Sequence, residues 1–342
     1  MTTTSPVLQQ PGDSKPVTID FETTKEVGFY SLVWRRFRSR KIALVAAIVL
    51  GVLILASLIG PILLPAECPD LSPGQLSLGP FTTGQSTNAT CGVGSHFHLL
   101  GTDDNGRDLL LRNLEGGRIS LLVGFSVMAV TMFVATVLGA LAGFFGGFVD
   151  TMITAAVNGV LSIPSILILV IFVKAVNPSG DRTIDFLFFH LGPQATVIAI
   201  IVFAISLISW PQTARIVRSV ILSVREKEFV EAARAVGTSR PRIIMRHLIP
   251  NALGPIVVSA SLTIGAAVLT ESAISFLGYG INPPTATWGN ILNQGRELVI
   301  GGTTAGFFFD VWPGLLILTT VLCFNYVGDA LRDAFDPRSI ER

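Results

Sequence analysis

Long unbroken apolar runs separated by short polar segments organise this chain. Ile42 to Leu64 contains no charged residue. At ~1.5 Å per residue a helix of that length reaches ~34 Å, enough to cross a hydrocarbon core of ~30 Å. Ile119 to Val149 is a second uncharged run with length to spare, and Asp150 marks the turn after it. Thr151 to Val173 is the third, interrupted by Asn158 and Pro164. Ala195 to Trp210, Leu253 to Thr270 and Val311 to Val327 complete the series. The fourth and sixth runs are short, and their flanks can extend each helix by a turn. The pattern predicts an all-α integral membrane protein with six transmembrane helices.

One stretch between the fourth and fifth runs differs in kind. In "EFVEAARAVGTSRPRIIMRHLIPN", Glu228 to Asn251, good helix formers fill Phe229 to Val236. Gly237 stands where a left-handed C-terminal cap belongs. Thr238 and Ser239 suit the start of a second helix, and Pro241 suits its first turn. The segment therefore reads as helix, glycine turn, helix, with the fifth span starting near Pro250. Ala232 and Ala233 leave one helix surface nearly flat, with Glu231 beside it and Arg234 a turn on. Two readings stand level on these grounds. One is a helix docking into a groove of another protein. The other is a solvated helix whose Glu231–Arg234 pair is worth ~0.3 kcal/mol.

Composition agrees with a chain immersed in lipid. Half of the residues are apolar and 14% are charged, against ~25% in soluble domains. The net charge of +1 is uninformative, but its distribution sets an orientation. Arg35, Arg36, Arg38, Arg40 and Lys41 precede the first span. Arg215, Arg218, Arg225, Lys227, Arg234, Arg240, Arg242 and Arg246 crowd the segment between the fourth and fifth. Arg332, Arg338 and Arg342 follow the sixth. With six spans these regions share one side, and the positive-inside rule makes it the cytoplasm, with both termini there. Residues 1–26 read as a disordered cytoplasmic tail. Residues 27–64 read as an interfacial helix, "VGFYSLVWRRFRSRK", followed by the first span. Residues 65–118 form an extracytoplasmic loop with an insertion, residues 119–331 the core with spans two to six, and residues 332–342 a cytoplasmic tail.

The chain carries three cysteines and four histidines. Cys68 and Cys91 lie in the outward loop and form a candidate disulfide pair; whether they are bridged stays open. Cys323 reads as a small packing residue within the sixth span. His96 and His98 form an H-x-H pair without a third ligand, so no metal site is expected. Gly139 and Gly143 form a small-xxx-small pattern that invites a close helix partner in this chain or in another. Asn158 and Ser162 are polar at membrane depth, and Pro164 frees a backbone carbonyl there. With Glu271, at the outer end of the fifth span, they are candidates for a translocation path. Helix-to-helix hydrogen bonding is an equally good account of the first two. The segment Ile281 to Leu292 contains Pro283, Pro284 and Trp288, and its tryptophan reads as an aromatic interfacial anchor.

Several motifs resemble one family. Glu231-Ala232-Ala233, then Gly237, then Pro250, resembles the EAA loop of importer-type ABC transporter permeases. "RRFRSRKIALVAAIVL", "HLLGTDDNGRDLLLR", "SIPSILILV", "ESAISFLGYGINPPTATWGNIL" and "NYVGDALRDAFDPR" resemble, in order, the C-type permeases of dipeptide and oligopeptide importers. The loop closes His247-Leu248-Ile249-Pro250, where the family pattern closes I-x-L-P. The resemblance implies the type I ABC importer permease fold with a cytoplasmic coupling helix that seats in an ATPase subunit. It implies coupling roles for Phe229, Val230, Glu231, Ala232, Ala233, Arg234, Gly237, Arg240 and Pro250. The implied partners are a homologous second permease subunit, two cytoplasmic ATPase subunits, an extracytoplasmic solute-binding protein, peptide cargo and membrane lipids, and no nucleic acid. The implied location is the plasma membrane of a prokaryote. No G-x-x-x-x-G-K-[ST] occurs in the chain, so it is expected to bind no cofactor itself, and ATP and Mg are expected on the ATPase partners. A permease for another solute, such as nickel, a sugar or a haem-like molecule, is the serious alternative. A secondary transporter would want ionisable residues at mid-membrane, and none lies within these apolar runs.

Overall fold

A computed structural model describes residues 29–64, 78–86, 94–103, 105–176, 184–186, 189–300 and 304–335. The Cys68/Cys91 pair, the tail 1–26 and residues 336–342 of the C-terminal tail lie outside these residues. The described chain is helical apart from two small antiparallel hairpins. These are β1 (Thr82–Ser86) with β2 (Gly94–His98), and β3 (Ile184–Phe186) with β4 (Phe189–Leu191).

Among the described residues five helices are each long and apolar enough to cross a membrane, and there are six when a bent pair is counted as one broken span. A short helix α1 (Phe29–Ser39) leads into α2 (Lys41–Leu63), the first span. The second, α3 (Leu109–Phe145), runs 37 residues, or ~55 Å, and so projects well beyond the hydrocarbon. The third is α4 (Gly147–Leu161) with α5 (Ser165–Val176), bent by 88° at the break. The fourth is α6 (Pro193–Val224). A connecting elbow, α7 (Glu228–Ala235), α8 (Arg240–Ile243) and a π-helical turn (Ile244–Leu248), feeds the fifth, α9 (Ile249–Phe276). After it, α10 (Trp288–Ile300) precedes the sixth, α11 (Thr304–Phe335).

Four boundaries correct the sequence reading. Helix α3 begins at Leu109, well before the second apolar run at Ile119, because the Asp108 carboxylate accepts from the Leu110 and Leu111 amides and caps it there. The turn after α3 falls at Gly146 and Gly147, with φ of +64° and +50°, whereas Asp150 already sits in the first turn of α4. The fourth and sixth spans run much further than their apolar cores. Arg332 and Asp333 therefore belong to α11 rather than to a tail.

In lipid, apolar side chains gain little by leaving one another's neighbours, so close packing and polar bonds hold helices together. The principal packing is α3 against α6, which answers the question posed by Gly139 and Gly143: their partner is in this chain. A Cβ on Gly139 would stand 2.7 Å from the Ala214 carbonyl, and one on Gly143 would stand 2.8 Å from the Ile221 Cβ. One apolar cluster joins Val123 and Val127 of α3 to Leu169 of α5, Ile201 and Ile205 of α6 and Ala267 of α9. A second packs Ala46 and Leu50 of α2 against Val268 of α9 and Phe324 and Cys323 of α11. The N-terminal helix is tied to the end of α11 by Phe37, Ala43 and Ala330, and by an Arg40–Asp333 ion pair at 2.6 Å.

Candidate functional site

The elbow is built by its caps. In α7 the acidic Glu228 and Glu231 lie in the first turn, where they meet the positive end of the helix dipole. The helix then ends in a Schellman motif. The Thr238 amide donates to the Ala233 carbonyl at 3.0 Å and the Gly237 amide to Arg234 at 2.9 Å. Gly237 itself has φ +81°, the left-handed value that only glycine adopts without strain. Ser239 takes the N-cap position of α8 in extended backbone, but its side chain makes no capping bond; nor is one made by Lys227 at α7. The π turn closes just before Pro250, which has no N–H to continue the α-helical ladder.

Burial divides the elbow into a root and a free surface. Val230 is wholly buried among Ala140, Val217, Ile221, Ile243 and Leu248, which roots α7 on α3, α6 and the helix leading into α9. Arg234 lies over the Phe144 ring, 5.6 Å from its centroid, and so reaches the end of α3. Phe229, Glu231, Ala232, Arg234, Gly237, Arg240 and Pro250 are exposed, and Ala233 is half-buried. Val236 is 86% exposed at the tip and Met245 is 68% exposed on the following turn. A small helix rooted at one valine thus presents an apolar tip, two alanines and a few charges to whatever lies beyond this chain. Eight of the nine residues expected to couple form or border this surface; Val230 is its root.

The path candidates do not form one group. Asn158 and Ser162 are exposed on α4. The Asn158 side chain accepts from Arg215 at 2.6 Å, whereas the Ser162 hydroxyl donates back to the Gly159 carbonyl at 2.7 Å. Pro164 sits at the 88° break, exposed, and its carbonyl accepts from the Leu167 and Ile168 amides. Nearby, Arg218 of α6 forks onto both oxygens of Asp150, with Nη2 at 2.6 Å from Oδ2. Arg225 donates to the Gly143 carbonyl at 2.8 Å. The helices as folded therefore run past their apolar cores and carry these ionisable groups towards one end.

Glu271 corrects the sequence reading most sharply. It neither lines an outer gate nor reaches water; it is fully buried. Ser120 of α3 donates to its Oε2 at 2.9 Å and Ser275 to its Oε1 at 2.7 Å. Those hydroxyls in turn accept from the backbone amides of Trp288 at 3.3 Å and Ile281 at 3.2 Å. The carboxyl group is thus the centre of a polar staple joining α3, α9 and the start of α10. Trp288 is buried as well, with its indole N–H on the Asn113 carbonyl at 2.9 Å, and is no interfacial anchor. Removal of this carboxyl strands buried donors at ~1–3 kcal/mol each. Glu271→Ala is expected to lower the thermal midpoint of the detergent-solubilised protein clearly. Glu271→Gln, which keeps an acceptor oxygen, should lower it much less. Equal midpoints for the two would remove the staple reading.

Two local features escaped the sequence reading. Thr287 and Asn290 form a reciprocal capping box at α10, amide to side chain at 3.0 and 3.2 Å, and the T-x-x-N spacing was its signal. At the start of α3, His98 pairs through Nδ1 with Asp108 at 2.8 Å, and Asp103 receives Arg107 at 2.7 Å with Arg112 close by. His98 is thereby engaged as a structural partner of the α3 cap.

Comparison with known proteins matches the same regions. Residues 135–341 match the family described as binding-protein-dependent transport system inner membrane component. Residues 28–80 match the N-terminal TM domain of oligopeptide transport permease C. A dipeptide transport system permease protein of Alkalihalophilus pseudofirmus is 33% identical over 305 residues, 89% of this chain and 88% of that protein. An oligopeptide transport system permease protein of Haemophilus influenzae is 34% identical over 304 residues, 89% and 87% of the two chains. One of Bacillus subtilis is 30% identical over 333 residues, 97% and 96%. Among solved structures, a chain of the MetNI methionine ABC transporter in an inward facing conformation is 21% identical, with a TM-score of 0.49 over 65% of this chain and 95% of that one. With its bundle of spans, its elbow and these matches over most of its length, the chain belongs to the family of inner membrane components of binding-protein-dependent transport systems, as a multi-pass permease subunit carrying the N-terminal segment of the oligopeptide permease C type.

Proposed function

We propose that this chain is half of the membrane path of an ATP-driven importer of dipeptides or oligopeptides. It is moved through its elbow by an ATPase subunit that holds the ATP and Mg. The single observation that carries this reading is the elbow's form: a short capped helix, rooted by Val230, with an unpartnered apolar tip at Val236 and continuity into a span. A homologous permease completes the path, a second ATPase serves that subunit, and a solute-binding protein delivers peptide at the opposite end. The basic residues at the elbow support a cytoplasmic position for it and for both termini. Peptide cargo is supported by the relatives, which are named for dipeptide and oligopeptide transport.

The mechanical step follows from the packing. Closure of the ATPase pair pushes α7. Its root on α3 and α6 and its run through α8 into α9 pass the displacement to three spans at once. The path then opens outward, peptide enters from the binding protein, and hydrolysis resets the bundle.

Purification of the complex from native membranes, followed by vesicle uptake, tests the proposal. The expected result is a core of two permeases and two ATPases that accumulates labelled peptide only with ATP and the binding protein. Uphill transport by this polypeptide alone, or labelling of an elbow cysteine such as Val236→Cys from the outer side of intact cells, would overturn it. Uptake of nickel, a sugar or haem in place of peptide would retain the coupling and replace the cargo.

A further inference from the structure

We propose that Arg215 reads the carboxylate terminus of the transported peptide, in a cleft between α3, α4 and α6; this rests on the peptide-importer reading above. The cleft has a volume of about 230 Å³ and is walled by Thr154 and Val157 of α4 and Arg215 and Arg218 of α6. Gly139 and Ala142 of α3 line it as well.

Charge in the cleft is not balanced. Arg218 is neutralised by its forked pairing with Asp150. Arg215 is held instead by a neutral group, its Nη2 donating to the Asn158 amide oxygen at 2.6 Å. No carboxylate among the described residues pairs with Arg215. One positive charge therefore remains, oriented by Asn158, with other N–H donors of its planar fork open to a ligand. A guanidinium edge and a carboxylate match in geometry, two parallel N–H···O bonds at once.

Polar positions continue along the helices on both sides of Arg215. On α4, Thr151, Thr154 and Asn158 recur at three- and four-residue intervals and so form one polar stripe. On α6, Gln212, Arg215, Ser219 and Ser223 do the same, and all four are exposed. The Arg215–Asn158 bond joins the two stripes. The exposed face of α2 carries the opposite chemistry: Ile42, Val45, Ile48, Val52, Leu55 and Ile62. Arg215 lies about 14 Å, at 1.5 Å per residue, from the α6 terminus at Val224, on the elbow side of that helix. An unbalanced cation on a polar face suits an anionic solute in transit. A terminal carboxylate is common to linear peptides of any sequence, so this contact selects a class of cargo without selecting side chains.

The test uses the full complex in vesicles with its ATPases and binding protein. One labelled peptide is supplied as the free acid and as the C-terminal amide, each saturating the binding protein. The wild type is expected to take up the acid about tenfold faster, the scale of one charge-assisted pair. Arg215→Gln should bring the acid down to the rate of the amide while leaving amide uptake and assembly unchanged, and Arg215→Lys should keep part of the preference. An equal loss for both peptides would assign Arg215 a structural or lipid-binding role, and no change in the ratio would remove it from recognition; either result overturns the proposal. Wild-type complex that couples ATP to another solute but takes up neither peptide would overturn the peptide reading first.

Discussion

Leucine at Gly139 and Gly143 is expected to eliminate the folded permease from detergent extracts of the membrane. The two glycines are where α3 and α6 come closest. A Cβ at Gly139 would stand 2.7 Å from the Ala214 carbonyl oxygen and 2.8 Å from the Val217 Cβ. At Gly143 the obstacles are the Ile221 Cβ at 2.8 Å and the Arg218 carbonyl at 3.0 Å. Backbone carbonyls cannot rotate away as a long side chain would, so the helices must part. Overpacking by a methylene or two costs ~1–3 kcal/mol in a core that can adjust. Here the separation would also draw Arg218 from Asp150 and Arg225 from the Gly143 carbonyl, so the loss for the pair should exceed ~3 kcal/mol. Single alanine variants should be intermediate. Gly51→Leu is the control, since nothing lies within 4 Å of a Cβ there. The readout is the monodisperse fraction and thermal midpoint after mild solubilisation. Wild-type behaviour of Gly139→Leu, matching Gly51→Leu, would show that the α3–α6 seam is not the mainstay of the bundle.

What the sequence made legible follows from what each span faces. The first span is apolar all round because α2 lies on the outside of the bundle, and its limits were readable within a residue. The fourth was cut short at Trp210 because Gln212, Thr213, Arg215 and Arg218 follow it, yet α6 continues to Val224. Arg215 and Arg218 face α4, where Asn158 and Asp150 accept from them. A hydropathy pattern reads a polar residue as leaving the membrane, and cannot see that a neighbouring helix supplies its partner. The start of α3 was hidden in the same way by Arg112, Asn113 and Glu115. The Gly146-Gly147 pair was a readable breaker, but the charge at Asp150 drew the turn to the wrong place.

The candidate site divides along the same line. The elbow was legible because its determinants are local: helix formers, a left-handed glycine and a proline at fixed offsets. Glu271 was not, because burial is decided by Ser120 and Trp288, which are remote in sequence and adjacent in space. A carboxylate at the end of an apolar run looks the same whether it reaches water or a ring of hydroxyls.

Gly237→Val is expected to uncouple the permease while leaving its bundle intact, and the reason lies entirely in the backbone. Nothing lies within 4 Å of a Cβ built at Gly237, so there is no clash to relieve. The residue must instead hold φ +81°, which costs an L-residue ~1–2 kcal/mol and a β-branched one more. Relaxation of that angle gives up the Thr238–Ala233 and Gly237–Arg234 bonds that end α7. A helix of eight residues has little stability of its own, so its last turn, with Val236 at the tip, would lose its set geometry. A displacement worth ~2 kcal/mol corresponds to about a thirtyfold loss of docking affinity. Asparagine tolerates the left-handed region, so Gly237→Asn should retain most coupling and Gly237→Ala an intermediate share. The measurements are the ATPase-to-permease ratio after copurification and the rate of ATP-driven uptake, set beside the thermal midpoint, which should not move because Gly237 lies outside every span. If Gly237→Val assembled and transported like the wild type, the elbow's fixed shape would have no part in transmitting the ATPase stroke. If transport and thermal midpoint fell together, the glycine would be a fold determinant, and the separation of root from tip at Val230 would no longer describe how force enters the bundle.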